Sequence, residues 1–170
     1  MTWGTSPEDT APIHGKVPES DKSQALDYMA VNPGENIESL EIGGAFIGSC
    51  TNARISDLRS AAAILKGKRV KDGVRAICVP GSMTVRQQAE DEGLDQIFKA
   101  AGFEWGSAGC ALCFYAGGDT FAPGTRVISS TNRNFKGRQG PGVRTHLASP
   151  AVVAASAISG YICAPEVKNV

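Results

Sequence analysis

Ala45-Phe-Ile-Gly-Ser-Cys-Thr-Asn52, followed by Ile55-Ser-Asp-Leu-Arg-Ser-Ala-Ala-Ala-Ile-Leu65, is the stretch that decides the fold. A short apolar run, Ala45 to Ile47, stops at Gly48-Ser49-Cys50. After it Ile55, Leu58, Ala62 and Leu65 recur at three- and four-residue steps, one face of a helix that ends near Gly67. Further along, Val74 to Val79 reads as a strand broken at Pro80-Gly81, and Thr84 with Gln87 reads as a capping box opening a helix. An alanine-rich helix over Leu94 to Ala101 ends at Gly102, and Arg126 to Ser130 reads as a third strand. Ser149-Pro150 announces a last helix running to Gly160. Strands alternating with amphipathic helices predict an α/β fold, a mainly parallel sheet in three layers, because parallel neighbours need a crossover connection. In such sheets ligands gather beyond the carboxyl ends of the strands. The loops Gly48 to Asn52, Gly81-Ser82 and Thr131-Asn132-Arg133 are therefore where the chemistry is expected.

The rest of the chain bounds what that chemistry can be. The 170 residues, 42% hydrophobic and 20% charged, suit a globular domain with an ordinary core. Seventeen basic residues balance seventeen acidic ones, which argues against nucleic acid or an anionic membrane as the main partner. Apolar stretches such as Ala151 to Ala155 are far too short to span a bilayer, and no basic flank leads into an apolar run at the N-terminus. A soluble, cytoplasmic protein is expected. Residues 1–43 carry Pro7, Pro12, Pro18 and Pro33 among polar residues and read as an extended arm or interdomain connection, interrupted by a short helix over Ser23 to Met29. So long a lead is unusual for a free-standing domain and reads as the boundary of a fragment. Residues 44–170 are expected to form the α/β domain.

Five cysteines in a chain with no secretory signal do not read as a disulfide framework, so metal or catalytic use is favoured. Cys110-Ala-Leu-Cys113 is compatible with a zinc half-site, a redox dithiol or a pair of cluster ligands. Cys50, in a glycine-flanked loop at a strand end, supplies a third thiol, and three cysteines without a fourth suit a 4Fe-4S cluster with one open iron. Cys78 in an apolar strand and Cys163 near the tail read as core residues. His14 belongs to the arm, and His146 reads as structural. Without the cysteines, Arg133, Lys136, Arg138 and Arg144 would read as a solvated basic loop; beside them, they read as anion recognition.

The segment Phe46-Ile-Gly-Ser-Cys-Thr-Asn-Ala-Arg-Ile-Ser-Asp-Leu-Arg59 resembles the first cluster-ligand motif of the aconitase superfamily, and especially its isopropylmalate dehydratase branch. Val79-Pro-Gly-Ser82, Ala101-Gly-Phe-Glu-Trp105, Gly109-Cys110 with Cys113, Ser130 through Gly140, Arg144-Thr-His-Leu147 and Ser149-Pro150 agree in order, and Thr2-Trp-Gly-Thr5 resembles the lead into this domain. The resemblance implies that Cys50, Cys110 and Cys113 hold a 4Fe-4S cluster, and that Asn132, Arg133 and Arg138 line a pocket for a di- or tricarboxylate. It implies a hydro-lyase isomerising 2-isopropylmalate to 3-isopropylmalate in leucine biosynthesis. The catalytic base would come from a swivelling domain on a small partner subunit, leaving this chain alone inactive. Aconitase, homoaconitase or another branched-malate dehydratase are alternatives of the same chemistry, and a zinc- or RNA-binding module is one of another class. Ala111-Leu112 between the paired cysteines, and Phe114-Tyr-Ala-Gly-Gly118 after them, depart from the small or sulfur-containing residues usual in that branch.

Overall fold

In a computed structural model, residues 1–109, 111–116 and 118–166 are described. Five strands form one sheet: β1 (Gly44–Ile47), β2 (Arg75–Cys78), β3 (Phe103–Trp105), β4 (Arg126–Ser129) and β5 (Arg144–Leu147), in the order β3-β2-β1-β4-β5. Every pairing is parallel. The chain steps outward from β1 to β2 to β3, then returns to the other side of β1 for β4 and β5. Right-handed crossovers force those two excursions onto opposite faces of the sheet.

The first face carries α2 (Ile55–Leu65), α3 (Met83–Asp91) and α4 (Leu94–Ala101), and α5 (Pro150–Ser159) returns to it after β5. Ala45, Ile47, Ala76, Cys78 and Ile128 point into this layer and meet Leu58, Ala62 and Leu65 of α2, Phe98 of α4 and Val153 and Ala157 of α5. Phe98 anchors the α4 end, with its ring edge-on to Phe103 at 5.4 Å between centroids and tilted against Trp105 at 5.5 Å. The second face is covered by irregular chain and a single turn: Phe46, Ile77, Val79 and Val127 pack on Leu112, Cys113, Phe121 and Val143. Apolar residues of β1 are buried on both sides, which is why its sequence lacks the alternation of a half-exposed strand.

Two strands escape a reading by pattern. β3 has three residues, one of them the exposed Glu104, and β5 reads Arg-Thr-His-Leu. One cap differs as well. The cap of α3 is Ser82, whose Oγ accepts from Val85 N at 3.2 Å, whereas Gln87 bonds to Asp91 on the helix surface. A serine at the strand-end turn already supplies the acceptor that the expected Thr84 would have brought.

Residues 1–43 include α1 (Ser23–Met29) and a 3-10 turn (Ile37–Ser39), and Trp3, Val17, Met29 and Ile37 are buried in the first core. Asp9 is buried too, held by Ser6 N at 2.9 Å and Lys22 Nζ at 2.8 Å. Thr2 lies along β5: its N–H donates to Leu147 O, and its Oγ1 accepts from Leu147 N. That contact shields the last strand's open edge. No helix among the described residues is long and apolar enough to cross a membrane.

His146 on β5 is fully buried, 2.9 Å from Thr2 O at Nδ1 and 3.2 Å from Arg126 Nε at Nε2. A carbonyl can only accept, so Nδ1 carries the proton and Nε2 accepts from the guanidinium. Burial, reinforced by the Arg126 charge, pushes the His146 pKa down to about 3. The unfolded chain therefore binds a proton that the native state refuses. Stability from this residue is present above the usual histidine pKa near 6.5 and is lost as pH falls below it. Denaturant titrations of wild type and His146→Gln between pH 7 and 4 should diverge, with the wild type losing an additional ~1.4 kcal/mol per pH unit in the lower part of the range. Parallel curves would show that the ring is not held neutral.

Candidate functional site

The sheet order reverses between β1 and β4, and the loops that leave their carboxyl ends part toward opposite faces. A cleft of about 670 Å³ opens there, lined by Thr51 and Asn52 after β1, Asp57 of α2, Thr131 and Asn132 after β4, Leu147 at the end of β5 and Ala148 to Pro150 beyond it. This is the crevice where open α/β sheets bind ligands. The N-terminus of α5 faces it, placing the positive end of a helix dipole at the rim.

The Cys50 loop is tied to β4 by Ser130. The buried Ser130 hydroxyl accepts from Gly48 N at 3.0 Å and lies 3.1 Å from Gly48 O and 3.3 Å from Asn52 O. Asn52 Nδ2 donates to Ser130 O at 2.8 Å, while Ser49 Oγ accepts from Asn52 N at 3.2 Å. Within this knot Ser49 sits at φ 105°, a left-handed conformation that costs a non-glycine residue on the order of 1–3 kcal/mol. Cys50 is exposed at its apex. The turn after β2 joins the same rim through Gly81 N to Ala53 O at 3.1 Å, and Gly109 N reaches Pro80 O at 3.2 Å.

The single turn Ala111–Cys113 begins with a second non-glycine outlier, Ala111 at φ 36°. Its Leu112 and Cys113 side chains are buried on the second sheet face. Two adjacent side chains from the loop after β4 hold its carbonyls: Arg138 Nε donates to Cys113 O at 2.6 Å, and Gln139 Nε2 to Leu112 O at 3.0 Å. Arg138 also donates from Nη2 to Asn132 Oδ1 at 3.3 Å and stacks over Phe135 at 5.5 Å. Arg138, a large cation, is thus only 7% exposed and bridges the Cys113 turn to Asn132.

Of the residues expected at the site, Cys50, Cys113, Asn132 and Arg138 lie in loops knit together at one sheet edge, and Arg133 is exposed beside Asn132. Cys110 lies outside the described residues. Among the described residues no group of three or more His, Cys, Asp and Glu stands close enough to hold a metal ion. Two basic residues of the expected anion-binding loop go elsewhere. Arg144 opens β5 at the opposite sheet edge, bonding Tyr28 O and Gly124 O, and Lys136 packs over the Tyr28 ring. Cys78 is fully buried in the sheet, with burial pushing its thiol pKa well up, and Cys163 is half-buried with its thiol also raised by burial. Ser130 and Gln139 escaped the sequence reading, since a serine or glutamine in a polar loop carries no spacing signal; only their burial exposes the role.

The donor chemistry suits an iron-sulfur centre. Cys50 and Cys113 come from separate loops that Ser130, Asn132 and Arg138 tie to the segment after β4, and no imidazole competes, because His146 is buried between Thr2 and Arg126 and His14 pairs with Glu38 on the surface. The sequence matches the aconitase family (aconitate hydratase) over residues 1–160. The chain belongs to that family. It is similar to the 3-isopropylmalate dehydratase large subunit of Cupriavidus necator, 54% identical over 175 residues that cover 97% of this chain and 66% of the relative. It thus spans just under two thirds of that relative's length.

Ser130→Ala leaves Gly48 N without its buried acceptor. It should lower stability by about 1–3 kcal/mol in urea unfolding, the cost of an orphaned buried donor. A change within error would mean that the knot contributes nothing to holding the Cys50 loop.

Proposed function

We propose that this chain supplies the cluster-binding and carboxylate-binding part of a hydro-lyase that converts 2-isopropylmalate to 3-isopropylmalate by dehydration and rehydration, a step of leucine biosynthesis. The observation that carries the reading is the convergence of the Cys50 loop, the Cys113 turn, Asn132 and Arg138 on one sheet edge, in a chain of the aconitase family.

Cys50, Cys110 and Cys113 would hold a 4Fe-4S cluster, with three thiolates leaving one iron open. When bound, such a cluster supplies a Lewis acid for the hydroxyl and one carboxylate of the substrate. The remaining work belongs to the protein. Arg133 and Arg138 receive the carboxylates, since a guanidinium binds such groups bidentately and with fixed orientation. Arg138 exchanges a bond with Cys113 O or Asn132 for one with substrate, so binding and the shape of the cysteine turn are linked. Asn132 offers an amide at the cleft rim, and the N-terminus of α5 adds a favourable partial charge. The proton next to the carboxylate leaves to a base on a separate swivelling domain, carried by a small partner subunit. Closure of that domain also excludes water from the reacting face.

Anaerobic reconstitution with iron and sulfide should give the broad visible absorption of a cluster, and Cys50→Ser should abolish or sharply reduce it. One equivalent of zinc with no iron or sulfide would overturn the assignment. The reconstituted chain alone should turn over neither 2-isopropylmalate nor citrate at a measurable rate. Full activity without any added subunit would show that the base lies within these residues.

A further inference from the structure

Gln139 is fully buried, and each end of its side chain is engaged. Its Nε2 donates to Leu112 O at 3.0 Å and its Oε1 accepts from Thr145 Oγ1 at 3.0 Å, while its backbone carbonyl accepts from the Thr120 hydroxyl. Thr145 itself belongs to β5, is 2% exposed and is paired in register with Val127 of β4. A continuous chain of buried hydrogen bonds thus runs from the sheet, through the glutamine amide, to the carbonyl in the middle of the cysteine turn.

That turn needs a restraint. Ala111 holds a left-handed conformation that a non-glycine residue keeps only when its surroundings impose it. Among the described residues the turn is held by the Leu112 side chain in the second core and by two polar contacts, Arg138 on Cys113 O and Gln139 on Leu112 O. Of the two polar ones, Arg138 is the group that must change partners if it is to receive a carboxylate. Gln139 carries no charge, and the partners of its side chain, Leu112 O and the Thr145 hydroxyl, are not among the residues that line the cleft.

We infer that Gln139, oriented by Thr145, is a positioning residue that fixes the Ala111–Cys113 turn against β5 and keeps the Cys113 sulfur in place when Arg138 turns to substrate. Its importance for the metal centre rests on the function proposed above; the clasp itself does not. Replacing the amide by an apolar group leaves Leu112 O and the Thr145 hydroxyl unpaired, and the strained turn opens more often.

The test is site-resolved alkylation of the fully reduced, metal-free protein under anaerobic conditions, with N-ethylmaleimide and mass spectrometry. Cys78, buried in β2 and facing the opposite layer, serves as the internal comparator. Gln139→Leu should speed labelling of Cys113 about tenfold, the effect of one lost buried hydrogen bond, with Cys78 unchanged. Thr145→Val, which removes only the orienting hydroxyl, should act in the same direction by about threefold. The idea fails if Cys113 labelling stays within twofold of wild type in both variants, or if Cys78 accelerates in step, which is global destabilisation. Should Gln139→Leu not fold, the Thr145→Val comparison decides alone. In a parallel arm, a wild-type chain that takes up no cluster would refute the proposed function while leaving the labelling result to judge the clasp. If the cluster does form, chelator should bleach it several-fold faster in Thr145→Val than in wild type.

Discussion

Parallel pairing of β1 with β4 is the contact on which the rest depends. The chain reaches β4 only after completing β2 and β3 on the other side, so the loops following β1 and β4 diverge and leave an open crevice between them. A sheet built by stepping outward in one direction would have no such gap. The Ser130 hydroxyl, set against Gly48 and Asn52, fixes the width of that crevice at its base. Each loop then carries one polar or sulfur side chain toward it from a backbone that is itself held.

The Cys50 loop and the Cys113 turn each contain a non-glycine residue in the left-handed region, Ser49 and Ala111, and each is held by a buried hydrogen bond. Strain persists only where neighbours over-determine the backbone. Here those neighbours are polar, Asn52 at Ser49 and Arg138 and Gln139 at the carbonyls of Cys113 and Leu112. Rigid presentation of sulfur thus comes from serine, asparagine, arginine and glutamine, while the apolar cores on the two sheet faces supply the stability that makes such restraint affordable.

Much of this was legible in the residues themselves. The apolar run of β1, the period of α2 and the Ser-Pro start of α5 announce their elements because burial and backbone geometry act locally there. β3 and β5 were not legible. A strand of three or four residues that holds Glu104, or Arg144 and His146, has no pattern to read, and its place is imposed by pairing with β2 or β4. The buried apolar residues of the first 43, among them Trp3 and Ile37, lack any period because that segment follows the surface of the core instead of forming a layer. At the site, cysteine spacing and the strand-end rule named loops at the carboxyl ends of the strands, and the motif resemblance named particular residues in them. The supports, Ser130 and Gln139, stayed hidden because polar side chains reveal their function only through what they are buried against. Arg144 shows the converse: near the other basic residues in sequence, it opens a strand whose far end faces the cleft.

The Ser130 to Gly48 bond joins residues 82 positions apart. On a ribosome adding 5–20 residues each second, the Cys50 loop waits on the order of ten seconds before the segment that shapes it has been made. Contacts this remote in sequence also form late in refolding, because chain entropy must be spent before they give any return. The Cys50 loop therefore takes its final shape only after β4 has been made, and the nascent chain passes through a stage in which this thiol is unprotected by that structure. On the function proposed above, delivery of the centre follows the synthesis of β4, whereas reducing conditions are needed from the moment the thiols emerge.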